Sequence, residues 1–212
     1  MSKTSSRDEL WAMVRAERGA LAEELAGLSS AQWGERSLCG EWTVEEVVAH
    51  LTAGASTGRL RWMVSVVRNR FDFGRHNDRQ LAGHLGSTPE ETLERFRAVV
   101  DSTVAPSGHT AAWLGEVVVH GQDIRRPLGL TREPSIEAVS EVARFFASRD
   151  FTVAGRSAIE GLRLEASDGP FAVGDGPVVG GTTIALIMAM AGRSVYCDDL
   201  AGPGVDVLRG RI

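Results

Sequence analysis

The chain has 212 residues, 43% of them apolar, enough to bury a core and to exclude an intrinsically disordered chain. Twenty-three Lys and Arg against twenty-eight Asp and Glu give a formal net charge of −5, which argues against nucleic acid or an anionic membrane as the main partner. Residues 1–9 lack the apolar core of a signal peptide, and the longest apolar run, 184–191, is too short to span a bilayer. Cys39 and Cys197 lie far apart with no Cys-x-x-Cys spacing, which suits a reducing compartment, so a cytoplasmic protein is expected.

In chain order, Leu10, Val14, Leu21, Leu25 and Leu28 recur at helical spacing and predict an amphipathic helix over about 6–27, with a restart at Ser29. Thr43 with Glu46 three residues on is a capping-box signature ahead of Val44, Val47, Val48 and Leu51, predicting a second helix over about 44–54. Leu60, Met63, Val64 and Val67 predict a third over 57–70, with Arg59, Arg61, Arg68 and Arg70 on a solvated face. Thr88 and Pro89 open the next, which ends near Asp101. Trp113, Leu114, Val117, Val118 and Ile124 mark a helix over 111–126 closed by Pro127 and Gly129, and a further helix covers about 135–148.

After Asp150 the period changes. Leu162, Leu164 and Ala166 alternate with polar residues and an Asp168-Gly169 turn precedes 171–173, which predicts a hairpin. Gly174-Asp175-Gly176-Pro177 lacks the Gly-Lys-Ser/Thr ending of a phosphate loop and is read as a second hairpin turn. A buried helix over 182–191 stopped by Gly192, and a last strand at 205–208, complete the chain. The expected architecture is α+β: an all-helical bundle over 1–149 and a small α+β domain over 150–212.

Glu116 and His120 are four apart, so a helix presents them on one face, and Asp123 continues that line by another turn. The spacing alone fits a carboxylate paired with an imidazole or two ligands of a metal. The apolar residues around them, Trp113 and 117–119, favour a counter-charge or an ion. His50 flanks the apolar stripe of the second helix, and by itself reads as a hydrogen-bonded core histidine or as a ligand from a second bundle helix. His76, His84 and His109 are read as surface residues. Cys39, in the loop before helix two, is read as a structural thiol because no local pattern ties a histidine or cation to it. No Gly-x-Ser-x-Gly is present to suggest a serine hydrolase.

Leu28, Trp33, the run Cys39-Gly40-Glu41-Trp42-Thr43-Val44, Val47-Val48-Ala49-His50-Leu51, and then Glu116-x-x-x-His120-x-x-Asp123-Ile124 with Pro127-Leu128-Gly129 make a pattern. It resembles the mycothiol-dependent maleylpyruvate isomerase family of the DinB-like metal-binding four-helix-bundle superfamily. Gly161-Leu162-Arg163-Leu164, the Gly174 turn and Ala191-Gly192-Arg193 resemble that family's small sterol-carrier-like C-terminal domain, so the likeness spans nearly the whole chain.

The resemblance implies a divalent ion, zinc for preference, on His50, Glu116 and His120. Asp123, one turn beyond His120, is read either as a support for that imidazole or as a helix-surface acid facing Arg126 or water. The resemblance also implies mycothiol as co-substrate and an electrophilic, anionic small-molecule substrate, with neither nucleic acid nor membrane as partner. Arg193 then has a catalytic role as anchor for a substrate carboxylate. The activity so implied is a cis–trans isomerisation by thiolate addition and elimination. A mycothiol S-transferase acting on another electrophile, or a non-catalytic thiol- or metal-binding module, shares the same residues.

Overall fold

The computed structural model describes residues 5–58, 81 and 83–212. The helix read at 57–70 and His76 lie outside the described residues, apart from Thr57 and Gly58 at the start of that segment. The described chain divides into two compact units, Arg7–Arg132 and Glu133–Ile212.

The first unit is helical, with α1 Arg7–Leu25, α2 Ser30–Trp33, α3 Val44–Ser56, α4 Pro89–Arg97 and α5 Thr110–Leu128. Helix α1 packs on α4 and α5, and α3 packs on the same two, so four helices close a ring around Val14, Leu21, Val47, Val48, Phe96, Leu114 and Val118. The sequence marks three of these five starts. Ser29 and Thr43 build complete capping boxes with Gln32 and Glu46, and Thr88 caps α4 with Pro89 at its first position. Helix α5 runs two residues past the expected end, because Pro127 sits in its last turn and Gly129, at φ 66°, provides the left-handed stop.

The second unit contains α6 Ile136–Ser148, α7 Gly155–Ala158, strands β1 Arg163–Ala166, β2 Ala172–Val173 and β3 Val178–Gly181, and α8 Thr183–Met190. A 3-10 turn at Ser194–Asp199 and α9 Val205–Arg209 follow. Helix α6, placed with the bundle in the sequence reading, packs on α8 and lies in the second unit. Its apolar face, Val139, Val142, Ala143 and Phe146, finds its cover within the second unit. Every residue of α8 is buried, and Asp168 holds its start by accepting hydrogen bonds from the Thr183 N–H (2.8 Å) and hydroxyl (2.6 Å).

Two expectations for this unit change. Strand order is β2-β1-β3, with β1 antiparallel to β2 as the hairpin reading required, but parallel to β3. Residues 174–177 therefore join strands on opposite sides of β1 and form a crossing instead of a hairpin turn. They pass so close to the β1 entry that a Cβ on Gly174 or Gly176 would fall 2.1 Å from the Leu162 carbonyl oxygen or 2.3 Å from that of Gly161. The expected last strand is helix α9, since Val205 and Leu208 sit three apart and only Leu208 is fully buried.

Candidate metal centre

The centre is assembled from the loop before α3, from α3 itself and from α5. That loop is tied at several points. The Ser37 N–H and hydroxyl both donate to the Trp42 carbonyl, the Cys39 N–H donates to Ser37 Oγ, and the Trp42 N–H donates back to the Cys39 carbonyl at 3.2 Å. This last bond closes a tight turn with Gly40 at φ 58°, a conformation that glycine adopts without strain. The Leu38 N–H donates to the Asp123 carbonyl at 3.0 Å, pinning the loop to α5. The Thr43–Glu46 capping box then fixes where α3 begins, and so where His50 lies two turns on.

On α5, Glu116, His120 and Asp123 share one face, as their spacing predicts. Glu116 Oε2 stands 3.4 Å from Nε2 of His50 and 3.4 Å from Nε2 of His120. Both separations are longer than a well-formed N–H···O bond, but match the roughly 3.5 Å between donors around a tetrahedral zinc-sized ion. The ligand atoms of His50, Glu116 and His120 all lie within 4.8 Å of one another. The His50 and His120 rings meet edge to face with centroids 4.9 Å apart, and the Trp42 ring lies tilted against His50 with centroids 5.0 Å apart.

The electrostatics are those of a site built for positive charge. Burial alone would raise the Glu116 carboxyl, but hydrogen bonds from His120 and His50 outweigh it and hold the group well below the usual carboxylate range. Burial would lower His120, yet bonds to Asp123, Cys39 and Glu116 push it well above its ordinary value. Its Nδ1 faces Asp123 Oδ2 at 3.0 Å, where an Nδ1–H donates to a wholly buried carboxylate. That arrangement fixes the ring with Nε2 directed toward Glu116.

His50, Glu116, His120 and Asp123 thus converge. The Cys39 sulfur lies here too, in a second group of potential ligand atoms with His120 and Asp123. No local pattern announces this, because His120 reaches Cys39 through the packing of α5 on the loop. Trp42, against His50, was likewise not singled out, although its place next to a helix cap was visible. His109 is exposed and His84 half-buried, and neither joins a group of potential metal ligands among the described residues. Arg193, in the second unit, follows Gly192 (φ 84°), and its Nη1 donates to the Ala191 carbonyl at 2.6 Å, beside the carbonyl end of α8.

Residues 14–109 match the family model of the mycothiol maleylpyruvate isomerase N-terminal domain. That range includes Cys39 and His50 and stops short of Glu116 and His120. No curated protein matches the sequence. Two crystal structures share the fold, one of the mycothiol-dependent maleylpyruvate isomerase and one of its histidine-to-alanine mutant. The mutant gives a TM-score of 0.63 at 17% identity and the other 0.61 at 16%, each comparison covering 96% of both chains. Helices followed by a small three-stranded sheet are thus the maleylpyruvate isomerase fold, and residues 14–109 are similar to the mycothiol maleylpyruvate isomerase N-terminal domain.

Proposed function

We propose that the protein is a metal-dependent, mycothiol-using enzyme of the maleylpyruvate isomerase kind, with a divalent ion held by His50, Glu116 and His120. The observation that carries this reading is Glu116 Oε2 placed 3.4 Å from two imidazole nitrogens that come from different helices. Three protein donors of types N, O and N leave coordination positions open, the pattern of catalytic and not structural zinc. When bound, such an ion supplies Lewis acidity that favours the thiolate form of a thiol at neutral pH.

The chain's own groups do the rest. Asp123 accepts the Nδ1–H of His120 and keeps Nε2 aimed at the ion. Trp42 covers one face of His50, restricting ring rotation and excluding water from that side. Arg193 supplies a fixed cation for a substrate carboxylate, a role supported by its match to the family's Gly-Arg pair and by the two carboxylates that maleylpyruvate carries. For the isomerisation, a C–S bond forms at the cis double bond, the resulting single bond rotates, and the same C–S bond breaks to return the thiol and the trans product. None of the described helices is long and apolar enough to cross a membrane.

The test is turnover of maleylpyruvate by zinc-loaded protein with and without mycothiol, following both product and free thiol. Isomerisation with thiol undiminished supports the proposal. Consumption of thiol with an adduct released would reassign the protein as an S-transferase, and no turnover of any electrophile would leave a binding module. Arg193→Ala should keep fold and metal while losing most of kcat/KM for an anionic substrate, with Arg193→Lys restoring part. Unchanged kcat/KM in Arg193→Ala would remove Arg193 from the mechanism.

A further inference from the structure

The Nδ1 edge of the His120 ring, which the proposed ion does not use, faces Asp123. Cys39 Sγ, a His120 ring nitrogen and an Asp123 carboxylate oxygen form a second group of potential ligand atoms, all within 4.8 Å of one another. Asp123 is wholly buried and His120 is 9% exposed, so the set sits in the helical packing and not on a solvated surface. The two sets share His120 and no other residue.

A neutral imidazole offers one lone pair and carries its proton on the opposite nitrogen. With the lone pair on Nε2, the Nδ1–H has Asp123 Oδ2 as acceptor at 3.0 Å. With the lone pair on Nδ1, the Nε2–H has Glu116 Oε2 at 3.4 Å. Each tautomer therefore finds a carboxylate for its proton, and neither strands a buried N–H.

We propose that Cys39, His120 and Asp123 form a second cation position, selective for thiophilic ions, which excludes occupancy of the His50–Glu116–His120 position and is chosen by the tautomer of His120. Donor chemistry separates the two. A thiolate, an imidazole and a carboxylate favour soft ions such as Cd²⁺ or Cu⁺, whereas two imidazoles and a carboxylate suit Mn²⁺ and Co²⁺. Binding at the second position displaces the thiol proton of Cys39 into solvent and takes the shared imidazole from the first. Soft metals would then inhibit the enzyme by withdrawing a ligand without touching substrate. The mutual exclusion and this last consequence rest on the metal reading of the first position; the second position itself does not.

The experiment titrates Cd²⁺ into the Co²⁺-loaded protein and follows the near-ultraviolet sulfur-to-metal charge-transfer absorption together with bound Co²⁺ by equilibrium dialysis. The expected result is one-for-one loss of Co²⁺ as the thiolate band grows. The band should survive in Cys197→Ser and vanish in Cys39→Ser, which still binds Co²⁺. In His50→Ala, checked for helix content by far-UV circular dichroism, Cd²⁺ should still bind with the band. Absence of the band at saturating Cd²⁺ in the wild-type protein, its persistence in Cys39→Ser, or simultaneous binding of one Co²⁺ and one Cd²⁺ would overturn the proposal. Failure of the wild-type protein to bind Co²⁺, with the Cd²⁺ band intact, would instead count against the first position alone.

Discussion

Among the described helices, α5 and α8 are the most buried of their respective units, and they spend that burial differently. In α8 every residue from Thr183 to Met190 is covered, and beyond the threonine each is apolar, so the helix needs nothing but close packing. In α5 the covered stretch includes His120, Gln122, Asp123 and Arg125. Each such group must find a partner or cost the folded state more than an apolar residue would. Arg125 finds one in Glu24 of α1, donating through Nε and Nη2 at 2.9 and 2.6 Å to Oε2. Glu116, His120 and Asp123 find one another, at separations that suit an ion. A helix core kept polar at this expense is where chemistry is to be sought, and an apolar one is where stability is.

The largest effect should come from breaking the ion pair that α5 uses structurally. Glu24→Ala leaves Arg125, 2% exposed, without its carboxylate, and should destabilise the protein by about 3–5 kcal/mol in urea denaturation. Adding Arg125→Met should recover most of that loss. A smaller loss would show that water reaches Arg125.

Next in size is a cavity in the apolar helix. Leu186→Ala should cost about 2–5 kcal/mol while leaving the metal content of the folded protein unchanged, which separates the core helix from the chemical one.

A subtler change bears on how α5 aims its imidazole. Asp123→Asn should weaken metal binding by about 10–100-fold, read by competition with a chelating dye, with little change in helix content. Unchanged affinity would reduce Asp123 to a buried tie between α5 and the loop.

The smallest effect concerns pH in the metal-free protein. Glu116 is lowered on folding, so its share of stability is present above its unfolded value of 4.5 and is lost as pH falls through the folded value. His120 is raised, so its share is full below its unfolded value of 6.5 and is lost as pH rises through the folded one. The urea midpoint of the chelator-treated protein should therefore decline above neutrality relative to His120→Ala. Metal affinity should climb over the same range, because an ion must displace the His120 proton. A flat difference between the two proteins would show that His120 is not held protonated.

Much of this was legible in the sequence, and the parts that were not share a cause. Local signals were read correctly: the restart at Ser29, the capping box at Thr43, the Pro89 start, the Gly129 and Gly192 stops, and the shared face of Glu116, His120 and Asp123. Each is a matter of a few residues along one backbone. Cys39 beside His120, Trp42 against His50, the crossing at Gly174 and the packing of α6 on α8 depend on which elements meet, and periodicity does not encode that. The Val205 segment failed for a different reason, since a five-residue helix carries too few positions to distinguish a period of 3.6 from one of 2.

The metal centre can be tested most directly at the residue on which both sets of donors converge. Elemental analysis of wild-type protein and His120→Ala, each loaded with zinc and dialysed, should find one ion per chain in the former and none in the latter, with far-UV circular dichroism unchanged. Full zinc occupancy in folded His120→Ala would contradict a centre built on His50, Glu116 and His120.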